Sequence, residues 1–407
     1  MTTAPPRTVA PELKRARMGV SLIFFTNGIV LGGFAPRIPE IRDALELSYG
    51  GLGAAVAMWP IGSLLLGLGA AALIRRFRSA RVAVAGMALS GIAMLGAALA
   101  PSVLWFGVAL FIVGATDAWV DVAQNSHGLR VQRRYRRSIL NAFHALWSIG
   151  AVTGGLLGAI AAGLEVSVPW QFGLVAGLVI VINIVAYPLL LTGPEPASAV
   201  EDGAGEAAVP QHTPLRRVPN RTWIILGALS VIAIAGGWAE DAASTWSASY
   251  LRDELSAGAT LAALGFVSMQ GFQFIGRILG DRMVDRWGQL AVARWGGIFV
   301  ALGVGAALAF PSTWGTIAGF GAAGFGVATL IPGAMHAADE LPGLRAGTGL
   351  TIVSWLLRVA FLLSPPIVGL IADAHSLRVG LGLVPIMGVL VILFAGTMSP
   401  RKDPAAT

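Results

Sequence analysis

The sequence has no cysteine and little charge. Its 407 residues include no cysteine, which excludes disulfide bonds and thiol chemistry. Charged residues make up only 12% of the chain, whereas a soluble globular chain carries roughly 25%. So few charges cannot coat a water-exposed surface. The composition therefore excludes an ordinary soluble domain.

Short chemical motifs are missing as well. The sequence contains neither HExxH nor GxSxG, and no cluster of metal-ligating side chains, so we expect no enzyme activity and no metal site. The phosphate-binding pattern G-x-x-x-x-G-K followed by Ser or Thr is also missing, which argues against ATP drive within the chain. We expect no cofactor. A substrate-sensing receptor stays open as an alternative class.

What the sequence has instead is long apolar stretches. Hydrophobic residues make up 56% and the mean hydropathy is +0.74. The intervals Val82–Thr116 and Trp295–Ala338 carry no charge. Since one membrane span needs about 20 apolar residues, each interval holds two spans, with turns expected at Pro101 and Pro311. The 53 glycines fit helices that pack closely in lipid.

These patterns predict an all-α membrane protein with twelve transmembrane helices. The predicted spans are roughly 18–38, 50–74, 81–100, 102–127, 138–164, 170–192, 222–250, 259–280, 290–310, 313–337, 347–371 and 378–398.

The distribution of Lys and Arg predicts the orientation. Most of them fall in the tails and loops on the side of the termini. The opposite side has only Arg37, Arg42, Arg252 and Arg378. Because cytoplasmic loops are enriched in Lys and Arg, both termini are expected in the cytoplasm of a multi-pass protein in the cell membrane. This also explains the net charge of +7 without a nucleic-acid partner.

The chain divides into two parts of six spans each. The polar stretch 193–220 is rich in Pro, Gly, Ala and acids and is read as a flexible cytoplasmic linker. We therefore expect one six-helix bundle over 1–192 and another over 221–407, each with a short cytoplasmic tail. The basic loops Arg75–Ser79 and Gly280–Gly288 occupy the same place in the two parts, which suggests a parallel duplication.

The loop Gly280–Gly288 resembles the G-x-x-x-D-R-x-G signature of the major facilitator superfamily through Asp285, Arg286 and Gly288. The first-part copy departs from it, with Leu73 in place of the acid and Arg78 in place of the glycine. The resemblance implies the two-bundle, pseudo-symmetric major facilitator fold and a role for this loop in gating. The residues expected to act in gating are Arg76, Arg277, Asp281, Asp285, Arg286 and Gly288.

A closer resemblance is to the YbjJ-like bacterial branch of that superfamily, which is related to fucose-permease-like transporters. The segments that carry it include Arg37–Arg42, Asp121–Asn125, Phe143-His144, Glu240 with Trp246, and Pro365-Pro366. The branch does not imply one substrate.

Polar residues inside predicted spans are functional candidates, because they are costly in lipid. In span 4, Asp117, Asp121 and Asn125 share one helical face. Two neighbouring carboxylates at low dielectric are not expected to ionise together, so one of them is expected to carry a proton. A structural network with the arginines that follow span 4 is the alternative. In span 5, Asn141 and His144 share a face, and His144 is a candidate proton relay to Asp117 or Asp121.

The second part carries further candidates. Glu240 and Asp241 in span 7 point about 100° apart, and Glu240 is the better candidate for proton coupling. Arg358 in span 11 needs a carboxylate partner, either in the protein or on an acidic substrate. The other residues expected to line the cavity are Asn27, Gln270, Gln273, Trp119, Trp238 and Trp355; core packing is the alternative for the tryptophans.

Together these features predict a proton-coupled secondary active transporter of a small polar solute, sugar-like or another metabolite, that works by alternating access. The expected partners are that solute, protons and the lipid bilayer, and the chain is expected to act as a monomer. A drug or metabolite exporter coupled to proton antiport is the alternative. It is suggested by Gly150-Ala151 and Gly154-Gly155 in span 5, which match an antiporter pattern except for its proline.

Overall fold

The computed structural model describes residues 10–135, 139–193, 218–344 and 347–398. Within these residues, eleven helices are long and apolar enough to cross a membrane. We label them α1 to α11 in chain order. They are Pro11–Ala44, Tyr49–Gly67, Ser79–Ala98, Val103–Tyr135, Leu140–Gly163, Val168–Leu189, Asn220–Glu254, Ala259–Ala309, Thr313–Asp339, Thr348–Ala374 and Leu377–Met398.

Helix α8 is longer than one crossing requires. Its 51 residues would extend about 76 Å, against a hydrocarbon core of about 30 Å. Gly288 interrupts it with φ 80° and ψ 154°, so two helical segments meet there. These segments coincide with predicted spans 8 and 9. The prediction of an all-helical membrane protein with many apolar helices is therefore confirmed.

The helix ends differ from the predicted span ends where basic residues occur. Helix α1 begins at Pro11 and not near residue 18, and α4 continues to Tyr135 and not to residue 127. Arg133 and Arg134, predicted to lie in a loop, are on the last turn of α4. The basic residues mark where the apolar stretch stops, but the helix continues through them. Long basic side chains can extend from a helix end to water. The turns at Pro101 and Pro311 are confirmed.

Glycines allow α1 and α5 to pack backbone to backbone. A Cβ at Gly28 would overlap the carbonyl oxygen of Trp147, and a Cβ at Gly150 would overlap that of Phe25. Only a residue without a side chain permits this approach, which is common between helices in lipid. The packing brings the preceding residue of α1, Asn27, beside Trp147 of α5.

We refer to residues 10–193 as the N-terminal part and to residues 218–398 as the C-terminal part. We call the end of the helices where α1 is followed by α2, and α7 by α8, the distal end; the opposite end is proximal. The two parts contact each other where α2 packs on α10 and α5 packs on α8. Residues 194–217 of the predicted linker lie outside the described residues.

Candidate functional site

Asp117 lies near the middle of α4 and accepts hydrogen bonds from two other helices. Asn27 Nδ2 of α1 donates to Asp117 Oδ1 over 2.9 Å, and Trp59 Nε1 of α2 approaches Asp117 Oδ2 at 3.5 Å. Trp147 Nε1 of α5 donates to Asn27 Oδ1 over 2.6 Å. Four helices of the N-terminal part therefore meet around one carboxylate, and the donors are neutral groups.

Arg277 of α8 connects the two parts. Its Nη1 donates to Ser148 Oγ of α5 over 3.3 Å, and its Nη2 lies 3.9 Å from Glu240 Oε1 of α7. Ser148 directly follows Trp147, so the contacts of Asp117 and of Arg277 meet on α5. We call this set the polar path; it consists of Asp117, Asn27, Trp147, Ser148, Arg277 and Glu240.

The polar path lies inside the apolar helices and not at their ends. Asn27, Asp117 and Glu240 are each near the middle of α1, α4 and α7. A carboxylate at such a depth is costly unless it is paired, hydrogen-bonded or protonated. The path therefore places two groups that can bind and release a proton on either side of the boundary between the parts.

Asp121 and Asn125 lie one and two turns beyond Asp117, towards the proximal end. Asn125 Nδ2 donates to the carboxylate of Asp121 over 2.9 Å and to its backbone carbonyl over 2.9 Å. Gln124 also contacts this carboxylate, at 3.4 Å. Asp121 is therefore held partly by its own helix, whereas Asp117 is held by neighbouring helices.

His144 is not brought to either aspartate of α4. Its ring lies edge-on against Phe24, with centroids 5.2 Å apart, and it is within electrostatic range of Arg277. Asn141, one turn earlier on α5, is exposed. In this structure His144 thus belongs to the surroundings of Arg277, and the relay to Asp117 or Asp121 is not formed.

Several candidates of the C-terminal part are buried with unpaired polar atoms. Among the described residues, Asp241 Oδ2 and both amide atoms of Gln273 have no hydrogen-bond partner. Ser364 of α10 lies beside Asp241, but its hydroxyl is outside hydrogen-bonding geometry. Gln270 is also buried. Buried polar groups normally have a hydrogen-bond partner, which can be protein or ordered water.

The remaining cavity candidates differ in exposure. Trp119 Nε1 donates to the carbonyl of Leu66 over 2.7 Å, which is a packing contact between α4 and α2. Trp238 is buried, with its indole N–H unpaired. Trp355 is 47% exposed, and Arg358 on the same helix is half-buried.

The predicted gating residues separate into two places. Arg76 is exposed on the short helix Ala70–Phe77, and Asp281, Asp285, Arg286 and Gly288 are exposed at the proximal end. Arg277, in contrast, reaches into the polar path.

Arg78 has φ 75° and ψ 149°, nearly the backbone conformation of Gly288. The first-part loop thus keeps the turn of the signature without its glycine.

A ring of ion pairs at the distal end was not predicted. Arg42 Nη1 pairs with Asp253 across the boundary at 2.8 Å, and Arg252 Nη2 pairs with Asp43 at 2.8 Å. Each arginine also contacts the aspartate that follows it, at 3.0 and 2.9 Å. The signal in the sequence is the Arg-Asp dipeptide, which occurs near the ends of both α1 and α7.

Two further contacts close the distal end. The carboxylate of Asp373 in α10 accepts hydrogen bonds from the backbone N–H groups of Tyr49 and Gly50, each over 2.8 Å. These are the first residues of α2, where unpaired N–H groups favour an anion. Next to them, a Cβ at Gly53 would overlap the carbonyl of Pro365. We call the ion-pair ring together with these contacts the distal contact.

Arg37 was expected in a loop and is instead buried. Its guanidinium donates to Gln171 Oε1 over 2.9 Å and to the carbonyl of Val166 over 2.6 Å, and it pairs with Glu40 at 2.5 Å. It therefore joins the end of α1 to the start of α6.

The glycines of α5 are explained by packing. Gly150 and Gly154 face the backbone of α1, and Gly155 faces Phe266 of α8. Their spacing is what these two helix contacts require.

Comparisons with known proteins agree with this architecture. A family model described as the Major Facilitator Superfamily matches residues 20–282. The chain is 30% identical over 377 residues to an uncharacterized transporter, y4wD, of Sinorhizobium fredii, covering 93% of this chain and 96% of that protein. It is 28% identical over 425 residues to the membrane protein MosC of Rhizobium meliloti, covering 99% and 100%.

Solved structures show the same fold at low sequence identity. A bacterial homologue of the human lysosomal transporter Spinster, in an inward-facing and occupied conformation, superposes with a TM-score of 0.73 at 15% identity, covering 96% of this chain and 97% of that one. The nucleoside transporter NupG gives a TM-score of 0.69 at 14% identity, covering 95% and 100%. The family match and the relatives indicate transport and not catalysis, and the chain is a multi-pass membrane transporter that belongs to the Major Facilitator Superfamily.

Proposed function

We propose that this chain is a proton-coupled secondary transporter that moves a small polar solute, sugar-like or another metabolite, by alternating access. The observation that carries the proposal is the polar path, which joins a carboxylate of the N-terminal part to one of the C-terminal part near the middle of the helices. A site shared by two parts that move against each other is the usual location for substrate and coupling ion in such transporters.

Asp117 is the proposed proton carrier of the N-terminal part. Its two hydrogen-bond donors, Asn27 and Trp59, are neutral, so within the described residues a charged carboxylate there has no cationic partner. A proton on Oδ2 would replace only the hydrogen bond from Trp59. At 3.5 Å that bond is long and therefore weak. Taking up a proton therefore removes a buried charge at little expense of hydrogen bonding.

The proposed layout has twelve spans in two bundles of six, over 1–192 and 221–407, joined by the linker 193–220. It is supported by the non-helical Gly288, which divides α8 into two lengths that each suit one crossing. The matching backbone of Arg78 supports a repeat of the same loop in each part. The YbjJ-like branch remains a proposal that rests on the sequence resemblance.

Alternating access is supported by the distal contact. Ion pairs, a capped helix end and a glycine-mediated backbone contact all join the parts at one end of the helices. With both termini in the cytoplasm of a plasma-membrane protein, as the basic loops indicate, the distal end is extracellular. The structure then corresponds to an outward-closed state of a protein that acts as a monomer.

Transport in proteoliposomes tests the proposal. The purified chain is reconstituted, a proton gradient is imposed, and uptake of radiolabelled sugars and related polar metabolites is measured. We expect at least one solute to accumulate with the gradient in the wild type and only to equilibrate in Asp117→Asn. The matched control is Asp121→Asn, one turn away on α4, which should still accumulate it. Equal accumulation by the wild type and Asp117→Asn would contradict the assignment of Asp117.

A further inference from the structure

The guanidinium of Arg277 is only partly used by the protein. Arginine has five N–H donors, yet among the described residues this side chain makes one hydrogen bond, the 3.3 Å contact to Ser148. Its one ion-pair partner in that part of the chain, Glu240, is 3.9 Å away, too far for a hydrogen bond. The side chain is 36% exposed. Arginine binds carboxylates well through bidentate, charge-assisted bonds, and the 3.9 Å contact to Glu240 does not have that geometry.

Glu240 is the carboxylate that contacts this guanidinium, at 3.9 Å. Its side chain is 16% exposed, and within the described residues it makes no hydrogen bond. The pair is thus loose, and either partner can exchange the other for a better one without breaking a short bond.

A second, independent feature lies on the same face of α8. Gln273 lies one turn before Arg277 on the same face of α8. It is 1% exposed, and among the described residues neither its amide oxygen nor its amide nitrogen has a hydrogen-bond partner. Buried amides normally find partners, and this one supplies N–H donors and an acceptor one turn from Arg277.

We propose that Arg277 binds the carboxylate of the transported solute, with Gln273 beside it, and that this carboxylate replaces Glu240 as the partner of the guanidinium. The solute class is then a small hydroxylated monocarboxylate, such as a sugar acid. This inference rests on the proposed transport function and names the substrate class of the same site.

Charge balance links solute and proton. With Glu240 ionised, Arg277 and Glu240 form a neutral pair, and a solute anion would add an uncompensated charge at low dielectric, which is strongly unfavourable. A proton on Glu240 removes that excess. The other titratable groups that face this pair are Asp241, its neighbour on α7, and His144 on α5. A proton on Glu240 therefore balances the charge of one monoanion bound at this pair.

Three solutes of one skeleton test the substrate class. Gluconate carries a carboxylate, glucose is uncharged, and glucosamine carries an ammonium group. Binding to the purified protein is followed by calorimetry at neutral pH. We expect gluconate to bind about tenfold or more tightly than the other two, the margin of a charge-assisted bond. Equal binding of glucose and gluconate, or no binding of gluconate, overturns the proposal.

Variants of the pair give a second readout. Arg277→Gln should weaken gluconate binding by about tenfold or more and remove the preference over glucose. Arg277→Lys keeps the charge but lacks the planar guanidinium, so its affinity for gluconate should lie between those of the wild type and Arg277→Gln.

Glu240→Gln should bind gluconate more tightly than the wild type, and its affinity should depend less on pH. The control Arg282→Gln, exposed on the same helix, should leave binding unchanged. Unchanged binding in Arg277→Gln, or weaker binding in Glu240→Gln, overturns the proposal.

Proton movement separates this inference from the proposed function. Proteoliposomes loaded with a pH-sensitive dye are exposed to each solute. If glucose moves protons and gluconate does not, the carboxylate assignment fails while proton-coupled transport stands. If gluconate binds through Arg277 but no solute moves protons, the carboxylate assignment stands and the coupling fails. Acidification of the vesicle interior when gluconate is added, but not when glucose is added, supports both.

Discussion

At the scale of single residues, Arg78 occupies a backbone conformation that suits glycine. With φ 75° and ψ 149° it lies near a region that residues with a side chain rarely enter, at an expense of about 1–3 kcal/mol. Glycine avoids this strain but loses about 0.5–1 kcal/mol of chain entropy. We therefore predict that Arg78→Gly raises the free energy of unfolding by about 1 kcal/mol.

Unfolding of the detergent-solubilised protein, followed by circular dichroism, checks this prediction. Arg75→Gly is the matched control, because Arg75 is exposed on the helix Ala70–Phe77. Glycine inside a helix should lower the free energy of unfolding by about 1 kcal/mol. A loss of stability in both variants would show that Arg78 is not strained.

Residue-level chemistry was predictable only in part. The spacing of polar residues predicted that Asp117 lies on a polar face of α4, because residues four apart share one face of a helix. It could not show that Asn27, Trp59 and Trp147 reach that carboxylate, since those contacts depend on how α1, α2 and α5 pack. Arg277 was grouped with the neighbouring loop for the same reason, although its long side chain reaches Glu240 on another helix.

At the scale of helices, α2 and α10 pack closely at the distal end. Gly53 lies against the carbonyl of Pro365, and a Cβ would overlap it. We predict that Gly53→Ala holds the distal end open. Gly51→Ala is the control on the same helix, because a Cβ there meets its neighbours at 3.5 Å or more, an ordinary contact.

Thiol labelling measures this opening. Ser249 is fully buried in α7, near the distal contact, and a cysteine placed there is the only thiol in a chain without native cysteine. A membrane-impermeant maleimide should react faster in Gly53→Ala than in Gly51→Ala or in the parent. Equal rates in all three would show that the Gly53 contact does not govern closure.

Helix existence was easier to predict than helix ends. Long uncharged intervals and the turns at Pro101 and Pro311 follow from composition alone. The ends of α1 and α4 were missed because the basic residues there continue the helix. The distal contact could not be predicted, since it joins residues more than 200 positions apart, such as Arg42 and Asp253.

At the scale of the whole molecule, the two parts are joined in two different ways. The distal contact consists of ion pairs and backbone contacts near helix ends. The polar path joins the parts deeper, through the loose contacts of Arg277. If the path binds a proton and a solute, its charge changes while the two parts stay in contact. The distal contact is then the element whose opening and closing the site biases.

Distances between the two parts test alternating access most directly. Since the chain has no cysteine, spin labels can be placed on cysteines at the exposed positions Ala44 and His375 for the distal end, and Arg134 and Glu340 for the proximal end. We predict that lowering the pH and adding gluconate lengthens the distal distances while shortening the proximal ones. If both pairs keep their distances, or if both lengthen together, the two parts do not alternate and the proposed mechanism is contradicted.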